Sequence, residues 1–215
     1  MKTIILLLSI FLMTGTCLAA DGNTVVGSGK VIVQERAIQA FTEVELRGVF
    51  DADISCNKGV AFKISGDDNI VALIRSEVKN GKLLIYSTKS YTTESPLKVT
   101  LSTSLVKKVD ASGSNTVSVY NVTGPAFEIG IEGSSVFTVE GKTGKLSAVI
   151  SGGSTLHADG LTADAAFLDI SGAGDAEVTA VKKLDVTISG VGNVLYRGNP
   201  IITRHISGIG NISPK

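Results

Sequence analysis

His157, His205, Cys56 and a scatter of carboxylates and hydroxyls are the side chains from which chemistry could be built in this chain. Asp67-Asp68-Asn69 directly follows Gly66, and paired carboxylates could hold a cation or act in acid–base chemistry. Gly172-Ala173-Gly174-Asp175 is similar to a calcium β-roll turn. That motif needs Asp at a nine-residue period, whereas the neighbouring corners carry Ser154 and Asn193. Ser112, Ser151, Ser171, Ser189 and Ser207 recur beside glycine, with Glu132 between them. A serine nucleophile needs a positioned base, and no histidine stands beside these residues. His205 shares a column with Asp169 two rungs away, about 9.6 Å at the usual strand spacing and beyond hydrogen-bond reach. Cys56 reads as a buried, inert thiol. No catalytic residue, cofactor or metal site is expected from these residues, and Asp175 reads as a plain turn cap.

The elements that would carry these groups follow from a repeat. Glycines at Gly113, Gly133, Gly152, Gly172, Gly190 and Gly208 are spaced 20, 19, 20, 18 and 18 apart. A period near 19 is that of a solenoid, whose units bury their apolar faces by stacking. Two residues before the glycines stand Ala111, Ile131, Ile150, Ile170, Ile188 and Ile206; four before stand Val109, Ile129, Ala148, Leu168, Val186 and Arg204. Four residues after stand Val117, Phe137, Leu156, Ala176, Val194 and Ile212. Alternation at period two marks strands with one face inward. Each unit is therefore a strand, a Ser-Gly corner, a second strand and a looser third side. Glycine accepts positive φ at the corner, and polar residues such as Asn193 and Asn211 cap it through nearby backbone.

Upstream, Gly48, Gly66 and Ser87 fit the frame and give nine rungs of roughly 18–20 residues. The Ser87 unit resumes at Leu97, Val99 and Leu101 after an insertion at 88–96. Parallel coils of this kind are right-handed in most cases, so the fold expected is an all-β, right-handed parallel β-helix. Lys107 and Arg204 fall in inward columns; Arg204 and Pro214, in the last rung, would blunt an open edge. Ile170→Asp and Ile188→Asp are expected to unfold the coil.

The first twenty residues read as a secretory signal peptide. Lys2 precedes the apolar run Ile4–Met13, and cleavage is expected after Ala19 or Ala20. Cys17 raises lipidation, but Thr14, Gly15 and Thr16 match that signal poorly. Residues 21–215 form one domain without an internal disulfide, since Cys56 has no partner. The mature chain carries about one net negative charge and no basic stripe, which argues against nucleic acid. No later segment is apolar enough to span a bilayer as a helix.

Gly190-Val191-Gly192-Asn193-Val194 and Gly208-Ile209-Gly210-Asn211-Ile212, with Gly29-Lys30-Val31, Phe41-Thr42-Glu43-Val44, Ile64-Ser65-Gly66-Asp67-Asp68-Asn69 and Lys82-Leu83-Leu84-Ile85, carry a resemblance. Over residues 28–212 the chain resembles the putative auto-transporter adhesin family with the head GIN domain. The resemblance implies a pectin-lyase-like β-helix without conserved catalytic residues, exported to the periplasm or cell surface of a bacterium. It implies an adhesin-like role; no catalytic residue is carried over. No membrane β-barrel follows Lys215, so self-transport is not expected.

Two functions follow. The first is a non-catalytic interaction module for a glycan, a surface protein or its own copies. Its candidate contact loop is the insertion, with Tyr86, Tyr91 and Glu94, since loops on repeat scaffolds carry binding. The second is a polysaccharide-acting lyase or hydrolase, prompted by fold analogy. It needs Asp clustered with Arg or Lys, and no outward column of this frame is expected to collect such a cluster in adjacent rungs.

Overall fold

The computed structural model describes residues 24–215; the leader, Cys17 and the cleavage positions lie outside the described residues. The fold is all-β, 71% strand and 2% helix. β1 (Val25–Val26) and β2 (Val31–Glu35) precede the first rung strand, β3 (Glu43–Ser55). An excursion follows through β4 (Ala61–Asp67), α1 (Asp68–Val71), β5 (Ile74–Lys79), β6 (Lys82–Ser87), β7 (Tyr91–Thr92) and β8 (Lys98–Ser102). The chain then winds through β9 (Lys108–Val122), β10 (Ala126–Gly133), β11 (Val136–Gly152), β12 (Thr155–Ile170), β13 (Asp175–Ile188), β14 (Val191–Arg197), β15 (Ile201–Ile206) and β16 (Ile209–Pro214).

From β9 onward all pairing between rungs is parallel and in register at the corners. Gly113 pairs with Gly133 and Gly133 with Gly152, while Ile131, Ile150, Ile170 and Ile188 form one continuous column. The column is sealed from water from Ala111 to Ile188, as are Val117, Phe137, Leu156, Ala176 and Val194 beyond the corner. This is the β-solenoid the alternation calls for.

The corner glycines stack for a reason that positive φ does not supply. Only Gly48, Gly113 and Gly133 of this ladder have positive φ. Yet a Cβ on Gly113, Gly133, Gly152, Gly172, Gly190 or Gly208 would in every case collide with the carbonyl oxygen of the glycine one rung below. Backbone lies directly on backbone at the corner, and a side chain has no room.

The solenoid makes about five turns rather than nine. Gly66 is no rung marker. Its strand β4 runs antiparallel to both β8 and β2 and closes the end of the coil. Ser87 does continue the ladder, but out of chain order. Leu83 and Ile85 stack on Val44 and Leu46, and Val99 and Leu101 stack on Ala52 and Ile54, so this unit lies outside β3 while β9 packs on β3's other side. β5 and β6 form a hairpin across Asn80-Gly81, both with positive φ, a strong turn signal.

The third side is also paired strand, with register shifts that absorb the differences in unit length. Ala158 and Thr162 of β12 face the adjacent residues Val178 and Thr179 of β13. Lys107 is exposed rather than inward, because Val106 takes the buried place. Arg204 is exposed because no described rung covers the last one. Cys56 is buried, and burial raises its thiol pKa, which keeps it protonated.

Two substitutions separate packing from conformation. Gly190→Ala should cost about 1–3 kcal/mol through overpacking, whereas Gly59→Ala, with open space around it and no positive φ, should leave the thermal midpoint unchanged. Ile188→Asp, an unpaired charge in a sealed column, should cost about 4 kcal/mol or more. Thermal melts followed by circular dichroism check all three, and a normal melt for Ile188→Asp would contradict the inward column.

Candidate functional site

Strand pleating turns every second residue before the corner outward, and in-register stacking converts these residues into columns. Glu45 pairs with Asp110, Arg47 with Ser112, and Glu43 with Lys108, while Glu132 lies between Ser112 and Ser151. All of these except Glu43, together with Lys82 of β6, line a groove of about 620 Å³ on the outer face of the first strand layer. Gly130 provides its depth, since a side chain there would run into the Asp110 carboxylate.

The structure therefore gathers three carboxylates (Glu45, Asp110, Glu132) and three cations (Arg47, Lys82, Lys108) in one concavity, against the expectation that no outward column would do so. The glycine frame reaches back to Gly48 and Ser87 but stacks its rungs in chain order. Half of the cluster comes from β3 and β6, which chain order places far from β9.

Most of these charges are already satisfied. Arg47 Nε donates to Glu45 Oε1 at 2.6 Å and Lys82 Nζ to Glu45 Oε2 at 3.1 Å. Burial alone would raise the Glu45 pKa, but these hydrogen bonds outweigh it and the carboxyl lies below its ordinary 4.5. Lys108 Nζ lies 3.0 Å from Asp110 Oδ2, and that hydrogen bond raises the lysine's pKa. A general acid needs a carboxyl held protonated near working pH; Glu45 is held in the opposite state.

The other predicted residues fall in separate places. Tyr86 is on the outward face of β6, paired with the groove residue Arg47, and donates its hydroxyl to Glu77 Oε1 at 3.1 Å. Tyr91, on β7, donates to Val49 O at 2.9 Å, and Glu94 is exposed. The three do not share a partner. The insertion itself holds the N-terminal strap: β7 pairs with β1, and Thr93 donates to the buried Asp67 Oδ2 at 2.6 Å. Asp68 and Asn69 complete that clasp. Ser28 Oγ donates to Asp68 Oδ1 at 2.7 Å, and Asn69 Nδ2 to Val26 O at 2.7 Å.

Asp175 Oδ1 accepts from the Asn193 backbone N–H at 2.9 Å and from Asn193 Nδ2 at 3.0 Å. Asn211 stacks on Asn193. Among the described residues no group of three or more His, Cys, Asp and Glu is arranged to hold a metal ion. His205 pairs with Thr187 as its column requires. His157 Nδ1 lies 3.2 Å from Glu177 Oε2, inside a network the frame did not reveal. Lys215 Nζ reaches both Asp159 Oδ2 and Glu177 Oε2 at 2.7 Å, and Arg197 joins Asp159 at 3.1 Å.

With the coil and its groove described, comparison with known proteins is informative. Residues 40–200 match the family described as "Putative auto-transporter adhesin, head GIN domain". The chain belongs to that family. A "putative adhesin" from Bacteroides fragilis NCTC 9343 has a similar structure, with TM-score 0.71 and 22% identity over 89% of this chain and 100% of that one. A "putative lipid binding protein" from Parabacteroides distasonis ATCC 8503 gives TM-score 0.58 and 21% identity, covering 89% and 99%. A second "putative adhesin", from Parabacteroides merdae ATCC 43184, gives TM-score 0.56 and 17% identity, covering 90% and 99%. At these identities the likeness shows the fold. No curated protein matches the sequence. No helix among the described residues is long and apolar enough to cross a membrane.

The network at Lys215 sets a pH dependence. Hydrogen bonds from Lys215 lower the pKa of Asp159 and, together with His157, of Glu177, below their ordinary 3.8 and 4.5. A carboxyl depressed by folding contributes stability above its unfolded value and loses it as pH falls through the folded value. Lys215→Gln should therefore lower the melting temperature at neutral pH and melt like the parent chain in acid below the carboxylate range. An equal deficit at both extremes would refute the charge origin.

Proposed function

We propose that this chain is an exported, non-catalytic interaction module of the adhesin type, and that its contact surface is the charged groove on the first strand layer, with Tyr86 paired with its Arg47. The observation that carries this reading is the pairing of the groove's charges. The Glu45 carboxylate and the Lys108 ammonium are fixed in hydrogen bonds on a rigid stacked lattice, which suits recognition of a polar surface rather than proton transfer. The ligand class is a polar glycan or a surface protein. Its hydroxyl or charged groups would meet Ser112, Glu132 and Ser151 beside the paired charges. Family membership supports adhesion, and the apolar leader supports placement in the periplasm or on the cell surface.

A second reading, a polysaccharide-acting enzyme, draws on one observation, the convergence of Glu45, Asp110 and Glu132 with three cations. Incubation with acidic glycans separates the two readings: no depolymerisation is expected, and release of unsaturated products would favour the enzyme. The interaction reading is tested by screening the mature chain against immobilised glycans and surface proteins. Glu132→Lys with Ser151→Lys, both exposed positions, should lose binding at least tenfold, about 1.4 kcal/mol. Thr155→Lys, beyond the corner, should bind as the parent does. Equal binding by all three proteins would remove the groove from the account.

A further inference from the structure

The two ends of the coil are finished differently. At one end the rung formed by β6 and β8 is covered, β6 by β5 and β8 by β4 with β2 beyond it, all antiparallel to their neighbours. At the other, β15 pairs with β13 and β16 with β14, and among the described residues nothing pairs with their outer sides. No described residue covers the lumen there. Ile206 is 40% exposed, whereas Ile150, Ile170 and Ile188 in the same column are 0% exposed. Ile202 and Ile212, in the other inward columns, are only partly buried, whereas Leu184 and Val194 beneath them are 0% exposed.

The backbone defines what this end can accept. Ser207 donates its N–H to Ile188 O, down to the previous rung. Hydrogen-bonding groups alternate sides along a strand, so the N–H and C=O of Ile202, Arg204 and Ile206 point to the open side. β16 is the weaker edge, because Gly210 loosens it and Pro214 has no N–H to offer. β15, Ile-Ile-Thr-Arg-His-Ile, is β-branched and unbroken.

We propose that β15 is the dimer interface of this protein, pairing antiparallel with β15 of a second copy around a twofold axis at Thr203. This goes beyond the interaction reading and does not depend on it. A second copy fits because it brings the same uncovered lumen, so that Ile202 and Ile206 of each chain close the other's open end. An axis at Thr203 sets Arg204 beside the partner's Ile202 instead of the partner's Arg204. Backbone bonds form reciprocally between those positions, about four in all by antiparallel geometry. Head-to-tail joining of β15 to the edge strand β2 is the poorer fit. β2 shows Val31, Val33, Gln34 and Glu35 to solvent and has no lumen to match. An isologous contact of this kind closes at two copies, whereas a head-to-tail contact would grow into filaments.

Sedimentation of the mature chain across a wide range of protein concentration tests the proposal, with two substitutions at one position. The parent should shift from monomer to dimer mass as concentration rises. Arg204→Pro removes an edge N–H at a position where proline is tolerated; it should stay monomeric while keeping the parent's melting temperature at low concentration. Arg204→Ile removes the charge that blunts the edge and should dimerise at lower concentration than the parent. Amide exchange at Ile202, Arg204 and Ile206 should slow only as dimer forms. The proposal is overturned if parent and Arg204→Ile both remain monomeric throughout, if Arg204→Pro dimerises like the parent, or if the parent forms filaments.

Discussion

The contact on which the whole structure rests is backbone against backbone at the corner. From Gly113 to Gly208 each marker glycine lies so close over the carbonyl of the one below, beginning with that of Gly48, that any Cβ would collide with it. That contact fixes the height at which each turn meets the next. Once the corner is in register, the strands before and after it have no freedom to slip, because a one-residue shift would turn the Ile and Val columns outward. Burial of those columns then supplies the driving force, in proportion to the apolar area removed from water. The outward columns inherit the same register without being selected for packing.

This explains how a charged, concave face is made from strands alone. Glu45, Asp110 and Glu132 approach one another because their rungs are stacked, not because the chain is folded into a pocket around a ligand. The resulting face is rigid, and its charges are held by neighbours in the same lattice. Such a surface can present a fixed pattern at little ordering cost, which is the property an adhesive module needs. The insertion at 88–96 ties down the N-terminal strap through the pairing of β7 with β1 and the Thr93–Asp67 hydrogen bond.

The legible part of the sequence was the part that repeats. Columns from Ala111 to Ile188 could be read off the glycine period because each residue's environment recurs every rung, so local pattern and tertiary burial agree. The Ser87 unit was also readable, including its displaced second strand at Val99 and Leu101. What periodicity could not convey was order in space. β3 lies between β8 and β9, although about fifty residues separate it from each end of that arrangement in the chain. That inversion concealed the groove, whose halves come from either side of the excursion. Gly66 misled because an apolar alternation has the same period in an antiparallel strand as in a parallel one. The Lys215 network was equally out of reach, since a contact spanning Asp159 to the last residue leaves no local trace.

The most direct test of in-register stacking is nuclear magnetic resonance detection of through-hydrogen-bond scalar couplings at the corner. The stacked coil predicts couplings from the amide nitrogens of Ser171, Ser189 and Ser207 to the carbonyl carbons of Ile150, Ile170 and Ile188 respectively. Couplings that join these amides to carbonyls outside that set, or to none, would contradict it.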